Sequence, residues 1–209
     1  MFKQVSKELK NHAPFTIFGA ITGIIIMIFF QNLPSKASYN IFYILHPTHV
    51  VLSALVTASI YELHKYGRVK GKSKPKPWIL LLIGYSGSIG IATISDSIIP
   101  YLGEILLGLP NRGAHLGFIE EWWLVNPLAI IGIGFAYLKP TTRCPHFGHV
   151  LLSTWASLFH IIMAIDQTLN WLSYLVVFFF LFIAVWLPCC VSDIVFPLLF
   201  VKDSENKIK

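Results

Sequence analysis

Long apolar runs dominate this chain, and the few polar residues that interrupt them recur in a fixed order. A helix crosses a hydrocarbon core in about 17–25 residues, and runs of that length predict six spans, at roughly 14–32, 42–63, 77–99, 121–138, 147–165 and 172–200. In the second run the pattern is broken by His46-Pro-Thr-His49-Val-Val-Leu-Ser53. In the fifth it is broken by His146-Phe-Gly-His149-Val-Leu-Leu-Ser153. Ser95-Asp96-Ser-Ile-Ile-Pro100, at the end of the third, is echoed by Ser192-Asp193-Ile-Val-Phe-Pro197 in the sixth.

Recurrence of this kind is an architectural signature. The unit is three spans long, residues 8–105 and then 118–200, and it includes the first span. Pro14-x4-Gly19 matches Pro127-x4-Gly132, and in the same register Glu8 matches Glu121. Span one has the basic start and apolar core of a signal peptide, but its removal would leave the second unit without a counterpart. The expected fold is therefore an all-α integral membrane protein, a single membrane domain over 1–209. An odd number of spans per unit turns the second copy upside down, an inverted-topology repeat.

Charge agrees with this layout. With the N-terminus inside, every one of the 16 basic residues except Lys36 and Arg112 falls in an inside segment. The positive-inside rule then places both termini in the cytoplasm of a cell-membrane protein. The basic stretch from Lys65 to Lys76 reads as a cytoplasmic hairpin loop. The net charge of +6 is thus topogenic, and no nucleic-acid partner is expected. Composition adds that 55% of residues are hydrophobic and 12% charged, with a mean hydropathy of +0.67. That excludes a disordered chain and leaves little for a soluble domain. No phosphate loop, dinucleotide fingerprint or nucleophile elbow is present. Cys144, Cys189 and Cys190 all fall near the cytoplasmic side, where thiols stay reduced. Cys189 and Cys190 could add soft ligands beside Asp193 but read as small apolar fillers.

His46, His49, Ser53 and Thr57 are spaced three, four and four residues apart, which aligns them on one helix face. His146, His149, Ser153 and Ser157 repeat the stripe, and His160 extends it. A hydroxyl on such a stripe is accounted for by helix packing, as are Gly84, Gly87 and Gly90. Intramembrane histidines and aspartates cost more and mark a site by default. Inversion places His46, His49 and Asp96 at the outer face, where Glu120, Glu121 and His115 join them. It places His146, His149 and Asp193 at the inner face with Cys144, and with the weaker candidates Glu8 and His12. Two clusters on opposite sides are expected.

Two imidazoles at i and i+3 with a carboxylate from a neighbouring helix make a ligand set for a divalent transition metal, Zn, Fe, Mn, Cu or Ni. The same groups relay protons. The expected function is a transporter or channel for such a cation, proton-coupled in one version. Its partners are the bilayer and a metal ion or proton, and either one chain or a homodimer forms the path. A membrane metalloenzyme or redox protein is the alternative. A bis-histidine haem in it would need ligands on facing helices, such as His115 with His49 or His12 with His149. A non-catalytic membrane subunit, with the polar residues as helix glue, is the third reading.

Overall fold

The computed structural model describes residues 2–67, 76–141, 143–166, 168–191 and 195–205, without the side chains of 2–8, 11, 12, 143–146, 190 and 202–205. It is all-helical, with no strand among the described residues: α1 (Phe2–Phe30), α2 (Ser35–Tyr66), α3 (Pro77–Thr93), a π turn (Ile94–Ile98), α4 (Ile99–Leu106), the short α5 (Gly117–Glu120), α6 (Trp122–Leu138), α7 (Arg143–Ala164), α8 (Trp171–Cys190) and α9 (Phe196–Glu205). Among the described residues, five helices are long and apolar enough to cross a membrane: Ala13–Phe30, Ser35–Tyr66, Pro77–Leu106, Phe147–Ala164 and Trp171–Cys189. Trp122–Leu138 is apolar but shorter, at 17 residues.

Helix ends follow local chemistry. Gly67, at φ 71°, stops α2 and returns its N–H to the carbonyl of Leu63. Glycine accepts this left-handed conformation without a Cβ clash. Pro77 opens α3 at a position where no N–H is needed. Asn170 caps α8 by accepting from the N–H of Ser173 at 2.8 Å. The helix carrying Asp96 does not stop at residue 99, as the hydropathy pattern predicts. It winds through the π turn and continues to Leu106. Pro100 lies inside this continuous winding and has no N–H to give, and the carbonyl of Ser95, five residues before it, accepts from the Ser157 hydroxyl.

Burial orders the bundle into layers. Of its apolar window, 61% of α2 and 72% of α7 are buried, against 28% of α1 and 33% of α8. The α2–α7 pair is therefore the inner layer, and α1 and α8 are peripheral. The outer surface carries Phe15, Phe18, Ile21, Ile25, Leu82 and Phe179, all at least 48% exposed. His46, His49, Asp96, Glu104, His149 and His160 are inside, each at most 1% exposed. Apolar residues outside and ionisable residues inside is the distribution of a protein whose solvent is lipid.

α1 packs on α7 and α8, and α6 packs on α2 and α3. Both contacts use the glycines singled out by the repeat. A Cβ on Gly19 would meet Thr154 and Leu151 of α7, and a Cβ on Gly132 would meet Ala54 and the backbone carbonyl of Val51 of α2. Gly132 cannot yield, because its neighbour is main chain. Gly132→Ala is expected to cost about 1–3 kcal/mol through overpacking, read as a lower unfolding temperature in detergent. Gly134→Ala, with nothing within 4 Å, is expected to be neutral. Gly84 and Gly87 likewise accommodate close neighbours, Ile133 and Thr57, whereas Gly90 faces open space and is not a packing residue.

Connections gather at two ends. At one, Asn111 donates its N–H to Ala164 and Tyr174 its hydroxyl to Gln31, which ties together the loops after α1, α4 and α7. At the other, Trp186 donates to the carbonyl of Leu9, and Thr141 donates its N–H to Ser59.

Candidate functional site

The π turn exists where the chain needs Asp96 to face inward. A π turn widens one turn of helix and displaces its side chains, and such turns concentrate at functional sites. Here it leaves the carbonyl of Ser95 to accept from the Ser157 hydroxyl of α7 at 2.9 Å. Ser97 donates to the carbonyl of His115 at 2.9 Å, which pins the 107–116 segment over the turn.

Asp96 is fully buried and accepts four hydrogen bonds. Its Oδ2 accepts from Nδ1 of His46 at 2.9 Å and Nδ1 of His49 at 2.7 Å. Its Oδ1 accepts from the hydroxyls of Ser95 and Ser153, both at 2.7 Å. A carboxylate has about four lone-pair sites, and all are taken. Asp96 therefore has no position left for a metal. It acts instead on the imidazoles, holding both with Nδ1–H toward itself and Nε2 away. A carboxylate behind a ligating histidine fixes its tautomer and raises its basicity.

For His49 the consequence is specific. Its Nε2 is buried and has no hydrogen-bond partner among the described residues. A buried, unpaired nitrogen costs about 1–3 kcal/mol. His49 also lies beside His149 and Cys189, and one ligand atom from each of the three residues falls within 4.8 Å of the others. The rings of His49 and His149 stack, with centroids 5.6 Å apart and planes 12° from parallel.

The sequence pattern assigns His49 and His149 to separate clusters on opposite faces. In the structure His49 and His149 meet at one centre, and Ser153 of the second stripe binds Asp96 of the first. The reason is the true start of α2. It begins at Ser35, not near 42, so His49 lies 14 residues, about 21 Å, from that end and 17 residues, about 26 Å, from Tyr66. His49 is thus near the midpoint of α2 and not at its mouth. Thr57 is buried beside Gly87, and Ser53 is buried on the same face. The side chains of His146 and Cys144, and the whole of Asp193, lie outside the described residues, as do the side chains of Glu8 and His12.

A second polar group occupies the end of the bundle near Asn111. His160 of α7 places Nδ1 2.7 Å from Oε1 of Glu104, and both residues are buried. Its Nε2 lies 3.3 Å from the carbonyl oxygen of Ala114. His115 pairs with Glu120 at 3.3 Å and has its ring 5.4 Å from that of His160. Tyr43 donates to Glu120 at 2.7 Å and Tyr39 to Glu121 at 3.3 Å. Phe42 separates this group from the centre, stacked 5.2 Å from His46 and edge-on 5.4 Å from His160. His115 therefore lies against His160, not His49.

Glu104 is not among the sequence candidates, and Cys189 reads there as a filler. Glu104 follows Pro100, which reads as a span end, yet Pro100, Gly103 and Glu104 form the buried face of α4 while Leu102, Ile105 and Leu106 face outward. That reversed amphipathicity at i, i+3 and i+4 is the signal that identifies it. Cys189 stands where the first unit has Ala92, and nothing else in the sequence marks it. No family model matches the chain, and neither a curated protein nor a solved structure matches it.

Proposed function

We propose that the protein carries a transition-metal cation across the membrane, with His49, His149 and Cys189 as a single binding site at mid-depth. The observation that carries this reading is the convergence of these three side chains, one from the first unit and two from the second, with a buried His49 whose Nε2 has no hydrogen-bond partner among the described residues. Two imidazoles and a thiol favour Zn or Cu over Mn, since sulfur is the softest donor present. In a tetrahedral site with bonds of about 2.0–2.3 Å, donors lie roughly 3.3–3.6 Å apart. Side-chain shifts of about 1 Å would close the present arrangement on an ion. Three protein ligands leave a fourth position for water, which a site that must release its cargo requires.

An inverted repeat, which the sequence pattern suggests, would favour the same reading. Gly19 meets Leu151 and Thr154, and Gly132 meets Val51 and Ala54, which are equivalent positions in the repeated register. His49 and His149 are themselves equivalent, so their stack straddles the expected pseudo-two-fold axis. Transporters built from inverted repeats bind substrate at the repeat interface near the midplane. Both termini would then be cytoplasmic, as the charge bias requires. The cation would lose most of its water on binding, and rocking of one unit against the other would expose the site to alternate sides.

Of the pairs considered for a haem, His115 lies against His160 rather than His49, and the side chain of His12 lies outside the described residues.

Elemental analysis of the purified, detergent-solubilised protein is the test. One metal per chain, with uptake into proteoliposomes, is expected. Failure to bind Zn, Cu, Fe, Mn or Ni on reloading would sink the reading and move the weight to proton relay or helix packing. Cys189→Ser is expected to weaken Zn or Cu binding by on the order of tenfold or more, measured by competition with a chelator. Unchanged affinity would remove the cysteine from the site.

A further inference from the structure

We infer that the His160–Glu104 pair is a proton-binding site, placed toward the end of the bundle near Asn111 and separated from the metal centre by Phe42. The hydrogen-bond geometry requires a proton there. His160 Nδ1 faces a carboxylate oxygen and Nε2 faces a carbonyl oxygen. A carbonyl only accepts, so Nε2 must donate. A neutral imidazole then has a lone pair on Nδ1, which would lie 2.7 Å from an ionised carboxylate with nothing between them. One further proton resolves the conflict, either on Nδ1 as an imidazolium or on Glu104 as a carboxylic acid. The other oxygen of Glu104 accepts the N–H of Gly113 at 3.3 Å, so it does not supply that proton.

The neighbours make the site exchangeable on one side. His115 is held over His160 at φ 37°, a conformation uncommon outside glycine. Its carbonyl is fixed by Ser97, and a Cβ on Gly113 would lie 2.7 Å from its Nε2. The His115 side chain is 27% exposed and that of Glu120 38%, against 0% and 1% for His160 and Glu104, so His115 and Glu120 are the solvated groups through which a proton would reach the buried pair. The titratable groups facing the pair are His115 from the segment, Glu120 from α5 and, on α2, Tyr43 and His46, the last behind Phe42. Repeat symmetry does not demand any of this. The positions equivalent to His160 and Glu104 are Ile60 and Val201, and Val201 packs in an apolar cluster with Tyr61. In the repeated register this pair therefore has apolar residues as its counterparts.

Only the use of this proton to couple transport rests on the reading proposed above. The step itself is one proton moving from solvent onto the pair, forming one N–H or O–H bond and breaking none within the protein. The first test needs no metal. Ring nitrogens of ¹⁵N-histidine-labelled, metal-free protein would be observed at pH 8, where a free histidine is only about 3% protonated. Carboxyl absorption would be read by infrared spectroscopy on the same sample. The expected result is either two protonated ring nitrogens, lost in His160→Gln, or a carboxylic acid band, lost in Glu104→Gln. A His160 ring with one bare nitrogen, and no band sensitive to Glu104→Gln, would overturn the inference. Glu104→Asp replaces Glu104→Gln if the latter does not fold. The second test separates a proton site from a static ion pair. In proteoliposomes, Glu104→Gln is expected to shift the pH midpoint of cation uptake by about one unit or more while leaving the bound metal unchanged. Superimposable pH profiles would also overturn it. A protein that binds no metal leaves the spectroscopic result decisive, so the two readings fail separately.

Discussion

A chain with alanine at both His49 and His149 is expected to bind no stoichiometric metal and to move no cation, while His46→Ala retains both. His46 and His49 look alike in the sequence and share one carboxylate oxygen of Asp96. They differ in what lies beyond Nε2. The Nε2 of His49 has no hydrogen-bond partner among the described residues, and His49 lies beside His149 and Cys189. That of His46 lies against the backbone of α5, where a Cβ on Gly117 would sit 2.6 Å from it. Loss of a residue that merely supports a ligand costs about 10–100-fold in metal affinity. Loss of two ligands is therefore expected to cost on the order of 10²–10⁴-fold, or about 3–6 kcal/mol.

Helix glue is the competing account of the same histidines, and it makes the opposite forecast. Interhelical polar contacts in membranes average about 0.6 kcal/mol, so glue residues would change unfolding temperature modestly and leave ion content alone. Elemental analysis and thermal unfolding of the single and double variants decide between the two. Metal retained in the double variant, with the fold intact, would end the case for this centre.

Membrane character and the repeated stripe are legible in the sequence because both are local patterns of polarity, and a charged group in an apolar run stands out without knowledge of the fold. The meeting of the stripes is not legible there. Ser35-Lys-Ala-Ser-Tyr-Asn reads as a polar loop but is the opening of α2, and its inclusion moves His49 from the rim to the middle of the helix. The contact between His49 and His149 is then a consequence of α2 and α7 packing side by side, which no one-dimensional pattern encodes. Glu104 is hidden differently. A proline normally closes a helix, and only the π turn, itself without a sequence signature, carries the chain past Pro100 and aims Glu104 at His160. The cost of burying Asp96 marks it as functional, but its role as a support for histidines rather than a ligand does not follow from that cost. Counting its four donors, which come from α2, α7 and its own turn, requires the tertiary structure.

Asp96→Ala is expected to be the most damaging single substitution in the protein, and Asp96→Asn to separate folding from affinity. Alanine strands two imidazole N–H groups and two hydroxyls that now converge on the carboxylate. Removing one partner of a buried charged network typically costs about 3–5 kcal/mol, a large part of the stability of a domain of this size. Asparagine has nearly the same shape. Its amide oxygen can accept from both histidines, and its NH₂ can donate to Ser95 and Ser153, because a hydroxyl accepts as readily as it donates. The expected loss of stability is then within about 1–1.5 kcal/mol. What asparagine cannot supply is the negative charge behind His49, so metal affinity is expected to fall about 10–100-fold in a protein that still folds. Thermal unfolding in detergent reads the first quantity and a competitive metal titration the second. Wild-type affinity in Asp96→Asn would mean that the carboxylate does not tune the ligand. Wild-type stability in Asp96→Ala would mean that the four hydrogen bonds contribute nothing, and with them would go the reason for the π turn.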